Sequence, residues 1–155
     1  MSLRIFLPTL LIMSNLTIAQ WFWQNPLPQG NSLTGINFIS PNSAFAVGIA
    51  GTILKTSDGG QNWIRQISGT TKILYDLAFI DTSIGTAVGE EGTILRTTDG
   101  GQQNWIVQIS GTTFGLRGIS FIDANTGTVV GGEGTVLRTT NGGTDWISQS
   151  SGTTN

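Results

Sequence analysis

The chain has 155 residues, with 22 glycines, no cysteine and no histidine. Seven basic and nine acidic side chains give a net charge of −2, which argues against a nucleic-acid partner because phosphates require a concentrated basic surface. Without thiol or imidazole groups the chain has no disulfide, no thiolate or imidazole metal site, and no nucleophile paired with histidine. Any metal would need oxygen ligands. We expect no metal and no cofactor, in a globular chain of short strands and tight turns.

The N-terminal residues have the pattern of a secretory signal. Arg4 gives a short basic start, Ile5–Met13 is mostly apolar, and Thr17-Ile18-Ala19 supplies the small residues that precede a cleavage site. The apolar run is too short for a membrane span, which takes about 20 residues, so we expect no membrane span. The pattern predicts a signal peptide over residues 1–19 and a secreted or periplasmic location. The alternative is a buried N-terminal strand or helix.

The rest of the chain repeats three times. The copies start at Leu33, Leu74 and Leu116, which are 41 and 42 residues apart. In the first copy we expect strands at about 35–39, 44–48, 52–56 and 63–67, separated by glycine, aspartate, asparagine and serine. Four strands in about 40 residues are typical of a β-propeller blade. The predicted fold is all-β, a domain over 20–155 with three four-stranded blades at about 33–71, 74–113 and 116–154.

A turn with two glycines, followed by tryptophan, recurs in each copy between the third and fourth predicted strands. Its Asp or Asn side chain can accept backbone hydrogen bonds, its glycines can take positive φ, and its tryptophan can cover the hairpin. Because it recurs, and because an amide replaces the carboxylate in the third copy, we interpret it as a folding device without a catalytic role. Its structural residues are predicted to be Asp58, Gly59, Gly60, Trp63, Asp99, Gly100, Gly101, Trp105, Asn141, Gly142, Gly143 and Trp146.

A cation also recurs, two residues before the serine or threonine of each of these turns. The three cations are Lys55, Arg96 and Arg138. We expect them to have a structural role beside the turn.

The full consensus, V-G-x-x-G-T-[IV]-L-[KR]-T-[ST]-[DN]-G-G-x-x-W, resembles the photosystem II stability/assembly factor-like β-propeller family, and its turn resembles the Asp-box or BNR repeat. The matching residues are 47–48 with 51–63, 88–89 with 92–105, and 130–131 with 134–146. The resemblance implies a non-enzymatic scaffold that binds a protein partner or assembles a complex, with photosynthesis as one setting.

The same turn resembles those of sialidases, xyloglucan-cleaving glycosidases and sortilin-type receptors. A fragment of a carbohydrate-active propeller with a polysaccharide ligand is therefore the alternative function, and a repetitive adhesin segment is a third.

Three copies are fewer than the four to eight blades that typically close a propeller. Trp21 or Trp23 together with Gln24 mirrors Trp63 and Gln66, so residues 21–30 are expected to form the outer strand of an incomplete blade. Two hypotheses follow. The chain is a fragment of a longer propeller, or it is complete and forms a homodimer in which two chains build a six-bladed ring.

In a blade, the loops between strands two and three share one rim with the connections to the next blade, and the copies differ there. We predict that the protein partner binds at this rim, through Lys72, Tyr75, Asp76, Glu90, Glu91, Arg117 and Glu133. No motif pairs these carboxylates as a glycosidase requires. A sialidase-like site combines a tyrosine nucleophile with a cluster of three arginines, and the single tyrosine of this chain has no recognisable cluster of that kind around it. We therefore predict no catalytic residue and no enzyme activity.

Overall fold

The computed structural model describes residues 30–153, so the predicted signal peptide and all but the last residue of the predicted outer strand at 21–30 lie outside the described residues. Three antiparallel sheets account for this part of the chain, and each sheet has four strands in chain order. The predicted all-β fold of three four-stranded units is confirmed.

Each sheet is one blade, built from consecutive strands. Blade 1 contains β1 (Leu33–Phe38), β2 (Ala44–Gly48), β3 (Ile53–Thr56) and β4 (Ile64–Gln66). Blade 2 contains β5 (Leu74–Phe79), β6 (Gly85–Gly89), β7 (Ile94–Thr97) and β8 (Ile106–Gln108). Blade 3 contains β9 (Leu116–Phe121), β10 (Gly127–Gly131), β11 (Val136–Thr139) and β12 (Ile147–Ser148). Single 3₁₀ turns at Ile49–Gly51 and Glu90–Gly92 link β2 to β3 and β6 to β7.

The strand boundaries differ slightly from the sequence expectation. Strand β1 begins at Leu33, two residues early, because Leu33 pairs with Gly48 across an irregularity in the ladder between Leu33 and Gly35. Strand β4 is shorter than expected, because it pairs with β3 only through Ile64, Arg65 and Gln66. The ladder between the two inner strands therefore extends further than the ladder at the outer edge.

The hydrophobic core lies between the blades. All of β2 and β6 is buried, whereas β4 and β8 at the outer edge are largely exposed. At the first blade interface the ring of Phe45 stacks on Phe79 at 3.9 Å, and Phe79 meets Trp105 edge-on at 5.9 Å. A blade buries its apolar side chains against the next blade because a single small sheet has too little surface to form a core of its own.

The inner strands of successive blades are also joined by polar contacts. The Phe79 amide donates to Asn37 Oδ1 at 3.3 Å, and the Ile119 amide donates to Asp76 Oδ2 at 3.0 Å. These bonds fix the inner strand of each blade against the next one. Among residues 30–153 there is no helix with the length and hydropathy to cross a bilayer.

Loops at the two ends of each blade form two rims. The connection rim consists of the β2–β3, β6–β7 and β10–β11 turns together with the connections that enter each blade (32, 67–73 and 109–115). The Ile49, Glu90 and Gly132 amides bond to Ser32, Ile73 and Gly115 across it. The turn rim consists of the turns with two glycines and the first loop of each blade, where the Gly59, Gly100 and Gly142 amides bond to Asn42, Ser83 and Asn125.

Candidate functional site

The turn rim is held together by hydrogen bonds within each turn. In blade 1, the Thr56 hydroxyl donates to Asp58 Oδ1 at 2.9 Å and accepts from the Gly60 amide at 2.9 Å. The Asn62 amide also donates to Asp58 Oδ1, at 2.9 Å. The pKa of the Asp58 carboxyl lies below its ordinary value, chiefly because the Asn62 backbone amide donates to it. The Asn62 side chain and the Thr56 hydroxyl lower it further.

The other two turns repeat this arrangement. Thr97 donates to Asp99 Oδ1 at 2.8 Å, and this contact is the first cause of the lowered pKa of the Asp99 carboxyl. In blade 3, Asn141 Oδ1 accepts from Thr139 and from the Asp145 amide, each at 3.0 Å. An amide oxygen therefore accepts the same bonds as a carboxylate here, and the side chains of these turns contact their own turn.

Threonine is the turn residue that our sequence reasoning overlooked. In each copy its hydroxyl accepts the buried amide of the second glycine, from Gly60, Gly101 or Gly143, at 2.8 to 2.9 Å. The signal was present, because threonine stands two residues before Asp or Asn in all three copies. Glycine is required at Gly101, where φ is +73° and a Cβ would lie 2.7 Å from Trp105 Nε1.

In blades 1 and 2 the recurring cation connects its blade to the turn rim of the next blade. Lys55 Nζ donates to the Gly100 carbonyl at 3.2 Å and lies 5.2 Å from the centre of the Phe45 ring. The Arg96 guanidinium donates to the Ala124 carbonyl and lies 5.2 Å from the centre of the Phe121 ring. Lys55 and Arg96 are therefore engaged between blades.

The connection rim brings three of the predicted binding residues together. Lys72, from the connection between blades 1 and 2, forms an ion pair with Glu91 of the β6–β7 turn. The side chains remain 40% and 61% exposed, so both charges are accessible to a partner. Glu90 lies beside them, where its carboxylate accepts from the Ile73 amide at 3.3 Å.

An open groove of about 760 Å³ begins at this ion pair. Lys72 and Glu91 line it together with the connection into blade 3, which contributes Thr113 and the exposed ring of Phe114. Phe114 was not among the predicted binding residues, although it differs from the lysine that occupies the same connection in the previous blade. The groove thus combines two charges with an aromatic side chain.

Tyr75 and Arg117 occupy equivalent positions at the start of β5 and β9. The Arg117 guanidinium lies 5.0 Å from the centre of the Tyr75 ring, and Arg117 is exposed while Tyr75 is half-buried. This contact is a cation–π pair, and Arg117 remains accessible to solvent in it. The two side chains form a second polar and aromatic surface, at the first residues of the inner strands β5 and β9.

The remaining two predicted residues have other surroundings. Asp76 lies on β5, and its carboxylate accepts from the Leu77 amide at 2.8 Å as well as from Ile119 in the next blade. Glu133 is exposed in the β10–β11 turn, at a φ of +54°. Asp76 therefore joins two blades, whereas Glu133 lies one blade away from the ion pair.

The arrangement suits recognition of a polar chain. Within residues 30–153 there is no group of three or more Asp and Glu side chains that could hold a metal ion. Charges of both signs and aromatic rings lie on the connection rim and at the start of the inner strands.

Three consecutive four-stranded blades, packed face to face with their inner strands adjacent, define a β-propeller architecture. The model of the family "Photosynthesis system II assembly factor YCF48" matches residues 65–150. The chain belongs to this family, which confirms the resemblance that the repeat consensus predicts.

Two solved structures of family proteins are similar to the chain. YCF48 bound to a D1 peptide has a TM-score of 0.70 and 26% identity, over 79% of this chain and 41% of that chain. YCF48 from Cyanidioschyzon merolae has a TM-score of 0.69, with the same identity and coverage. The chain thus spans about two fifths of the length of these proteins.

A GH74 enzyme from Niastella koreensis is similar in fold alone. Its TM-score is 0.62 at 16% identity, over 75% of this chain and 22% of the enzyme. Among curated proteins none matches the chain.

Proposed function

We propose that the chain is a non-catalytic scaffold that binds an extended segment of a partner protein on its connection rim, as an assembly factor does. The observation that carries the proposal is the structural likeness to YCF48 bound to a D1 peptide. The groove beside Lys72, Glu91 and Phe114 supports it, because it offers an accessible ion pair and an exposed aromatic ring.

The chemistry of the rim favours a peptide. An extended peptide carries backbone donors and acceptors along its length and side chains of either charge. Arg117 can donate to a carboxylate or a carbonyl while it stays beside the Tyr75 ring, because its side chain is exposed. Lys72 and Glu91 can each exchange their mutual contact for a contact with the partner, because an exposed ion pair contributes little to stability.

Absence of catalysis is part of the proposal. A glycosidase needs one carboxyl group that can ionise as nucleophile or base and another that can donate a proton, both facing the substrate. Here Glu91 pairs with Lys72, and Glu90 and Asp76 accept backbone amides. The prediction is that the purified chain releases no sugar from a panel of polysaccharides that includes xyloglucan.

Export is the remaining part of the proposal, and it depends on residues 1–19 alone. Their short basic start, apolar run and small residues before Gln20 support a secreted or periplasmic location.

The proposal is tested by calorimetric titration of the chain with the D1 peptide. We expect saturable binding that Arg117→Ala and Lys72→Ala each weaken at least ~10-fold, because each removes a charged donor from the rim. Arg65→Ala is the matched control, because Arg65 is exposed on the outer strand β4 and its substitution removes the same charge away from the connection rim. Absence of binding, or an equal loss in the Arg65→Ala variant, would contradict the assignment of the rim.

A further inference from the structure

The outer strand of the middle blade has an open edge without a charged residue. Strand β8 is the last strand of its sheet, and no strand among residues 30–153 pairs with its outer side. Ile106 and Val107 on the strand and Ile109 directly after it are 66%, 65% and 86% exposed. An exposed apolar edge is a template for another strand, and natural proteins commonly protect such an edge with a charged residue. In blade 1 this residue is Arg65, at the position of Val107.

The backbone of Val107 points away from its own sheet. Hydrogen bonds in an antiparallel ladder alternate, so each residue of an inner strand bonds to only one of its two neighbouring strands. The Gly89 amide donates to the Thr93 carbonyl, and this register assigns the backbone bonds of Leu95 to the ladder with β6. Leu95 is the partner of Val107 in the ladder between β7 and β8, so these two residues do not bond to each other. The amide and the carbonyl of Val107 therefore both lie at the open edge.

The open edge borders the groove of the connection rim. Val107 and Ile109 line the same groove of about 760 Å³ as the Lys72–Glu91 ion pair and the ring of Phe114. Strand β8 has only three residues, so pairing with it alone offers few hydrogen bonds. A chain that pairs with the edge can gain further contacts from the ion pair and from the aromatic ring. The edge and the charges thus form one continuous surface.

The charges in the groove select the kind of occupant. Residues 100–116, which include β8 and the turns on either side of it, contain no charged side chain. A second copy of the chain that paired through its own β8 would therefore bring no charge to Lys72 or Glu91. An extended segment of a partner protein that carries both apolar and charged residues matches the edge and the ion pair together.

We propose that the partner segment binds blade 2 as a fifth strand, with its backbone paired to Val107 and a charged side chain at the Lys72–Glu91 pair. Main-chain hydrogen bonds hold the segment in this mode of recognition, and its alternate side chains pack on Val107 and Ile109. The segment therefore carries alternating β-branched or aromatic residues and at least one charged residue. The proposal rests on the proposed function, because it describes how the same groove holds its peptide.

Titration of the Val107→Pro variant with the D1 peptide tests the pairing. Proline removes the outward amide but leaves the ladder with β7 intact, because proline is tolerated where the amide of an edge strand faces outward. We expect binding to weaken ~10-fold, since one backbone bond is lost and the ring obstructs the edge. Arg65→Pro is the matched control, because it makes the same change on β4 and is expected to leave binding unchanged. If circular dichroism shows that Val107→Pro is unfolded, Val107→Arg replaces it and copies the residue of blade 1.

The outcomes separate this proposal from the proposed function. If Lys72→Ala weakens binding and Val107→Pro does not, the groove holds the peptide by side chains alone and strand addition is wrong. The proposed function survives that result. If the D1 peptide does not bind at all, both proposals fail. An equal loss in the Arg65→Pro variant would also overturn strand addition.

Single N-methylation along the D1 peptide tests the backbone bonds from the other side. Only every second amide of an added strand faces β8, so we expect methylation to weaken binding at alternate residues of the paired segment. Equal tolerance at every position would overturn the proposal.

Hydrogen exchange of the Val107 amide tests whether the edge is open in the free chain. We expect fast exchange in the free chain and slower exchange in the complex with the peptide. Protection in the free chain would mean that another part of the protein pairs with the edge, and it would overturn the proposal. A dimer in light scattering that Val107→Pro dissociates would make a second copy the occupant, with the same consequence.

Discussion

The hydroxyl of Thr97 offers a direct test of how the turns with two glycines are stabilised. Thr97 is 1% exposed, and its oxygen accepts the buried Gly101 amide at 2.9 Å. Valine has nearly the same shape but no oxygen, so Thr97→Val leaves this amide without its acceptor. A buried amide that loses its partner costs about 1–3 kcal/mol. Asp99 also loses a donor, but its carboxylate reaches water, which replaces that bond.

We therefore expect Thr97→Val to lower the free energy of unfolding by about 1–3 kcal/mol, which corresponds to a fall in Tm of roughly 2–12 °C for a chain of this size. Urea unfolding followed by tryptophan fluorescence measures the change. Trp105 is 5% exposed and lies against Gly101, so its emission reports on this turn. Faster hydrogen exchange of the Gly101 amide in the variant would localise the effect.

The neighbouring residue provides the control. Thr98 is exposed, so Thr98→Val is expected to change stability by less than about 0.5 kcal/mol. Thr56→Val and Thr139→Val repeat the experiment in the other two blades, where the same bond measures 2.9 and 2.8 Å. If Thr97→Val costs no more than Thr98→Val, the hydroxyl does not stabilise the turn and the reasoning fails.

Three further predictions concern acid, backbone strain and export. The pKa of the Asp99 carboxyl is lower in the folded chain than in the unfolded chain, so this carboxylate stabilises the fold above about pH 4 and the stabilisation is lost as the pH falls further. Asp99→Asn, which copies Asn141, should therefore make the free energy of unfolding in urea depend less on pH, and an unchanged decrease of stability in acid would contradict this. Ala50 is exposed and has the left-handed φ of +52° and ψ of +38°, which glycine adopts without strain. Ala50→Gly should therefore raise the free energy of unfolding by about 0.5–1 kcal/mol, and a loss of stability would show that the turn is not strained. Expression with residues 1–19 should yield a mature protein that begins near Gln20 outside the cytoplasm, as N-terminal sequencing of cell fractions can determine; an unprocessed N-terminus in the cytoplasm would refute the signal peptide.

The blades were predictable because the information is local and repeated three times. Glycine or a short polar residue stands at the end of each strand or within two positions after it, and each copy carries the same turn, so the repeat indicates four strands per unit. Boundaries were less predictable, since the early start of β1 at Leu33 depends on pairing with Gly48 across a ladder irregularity. Such pairing is decided by the partner strand and leaves no mark in the sequence of β1 itself.

The candidate site was predictable only in part. Divergence between copies pointed to Lys72 and Glu91, and the structure joins them in an ion pair. Divergence alone did not separate them from Asp76, whose carboxylate accepts an amide from the next blade. Divergence marked the position of Phe114 as well, but its part in a groove could not be predicted, because an exposed ring lines a groove only when neighbouring turns lie beside it.

The sequence by itself determined the all-β architecture, the three blades and the family, because these depend on spacing, turn chemistry and a repeated consensus within one stretch of chain. The tertiary structure decided which side chains meet between blades: Arg96 over Phe121, Gln108 on Trp146, and Asp76 on the Ile119 amide. These contacts join residues about 25 to 43 positions apart, and equivalent residues in different copies look alike in sequence whether or not a neighbouring blade covers them.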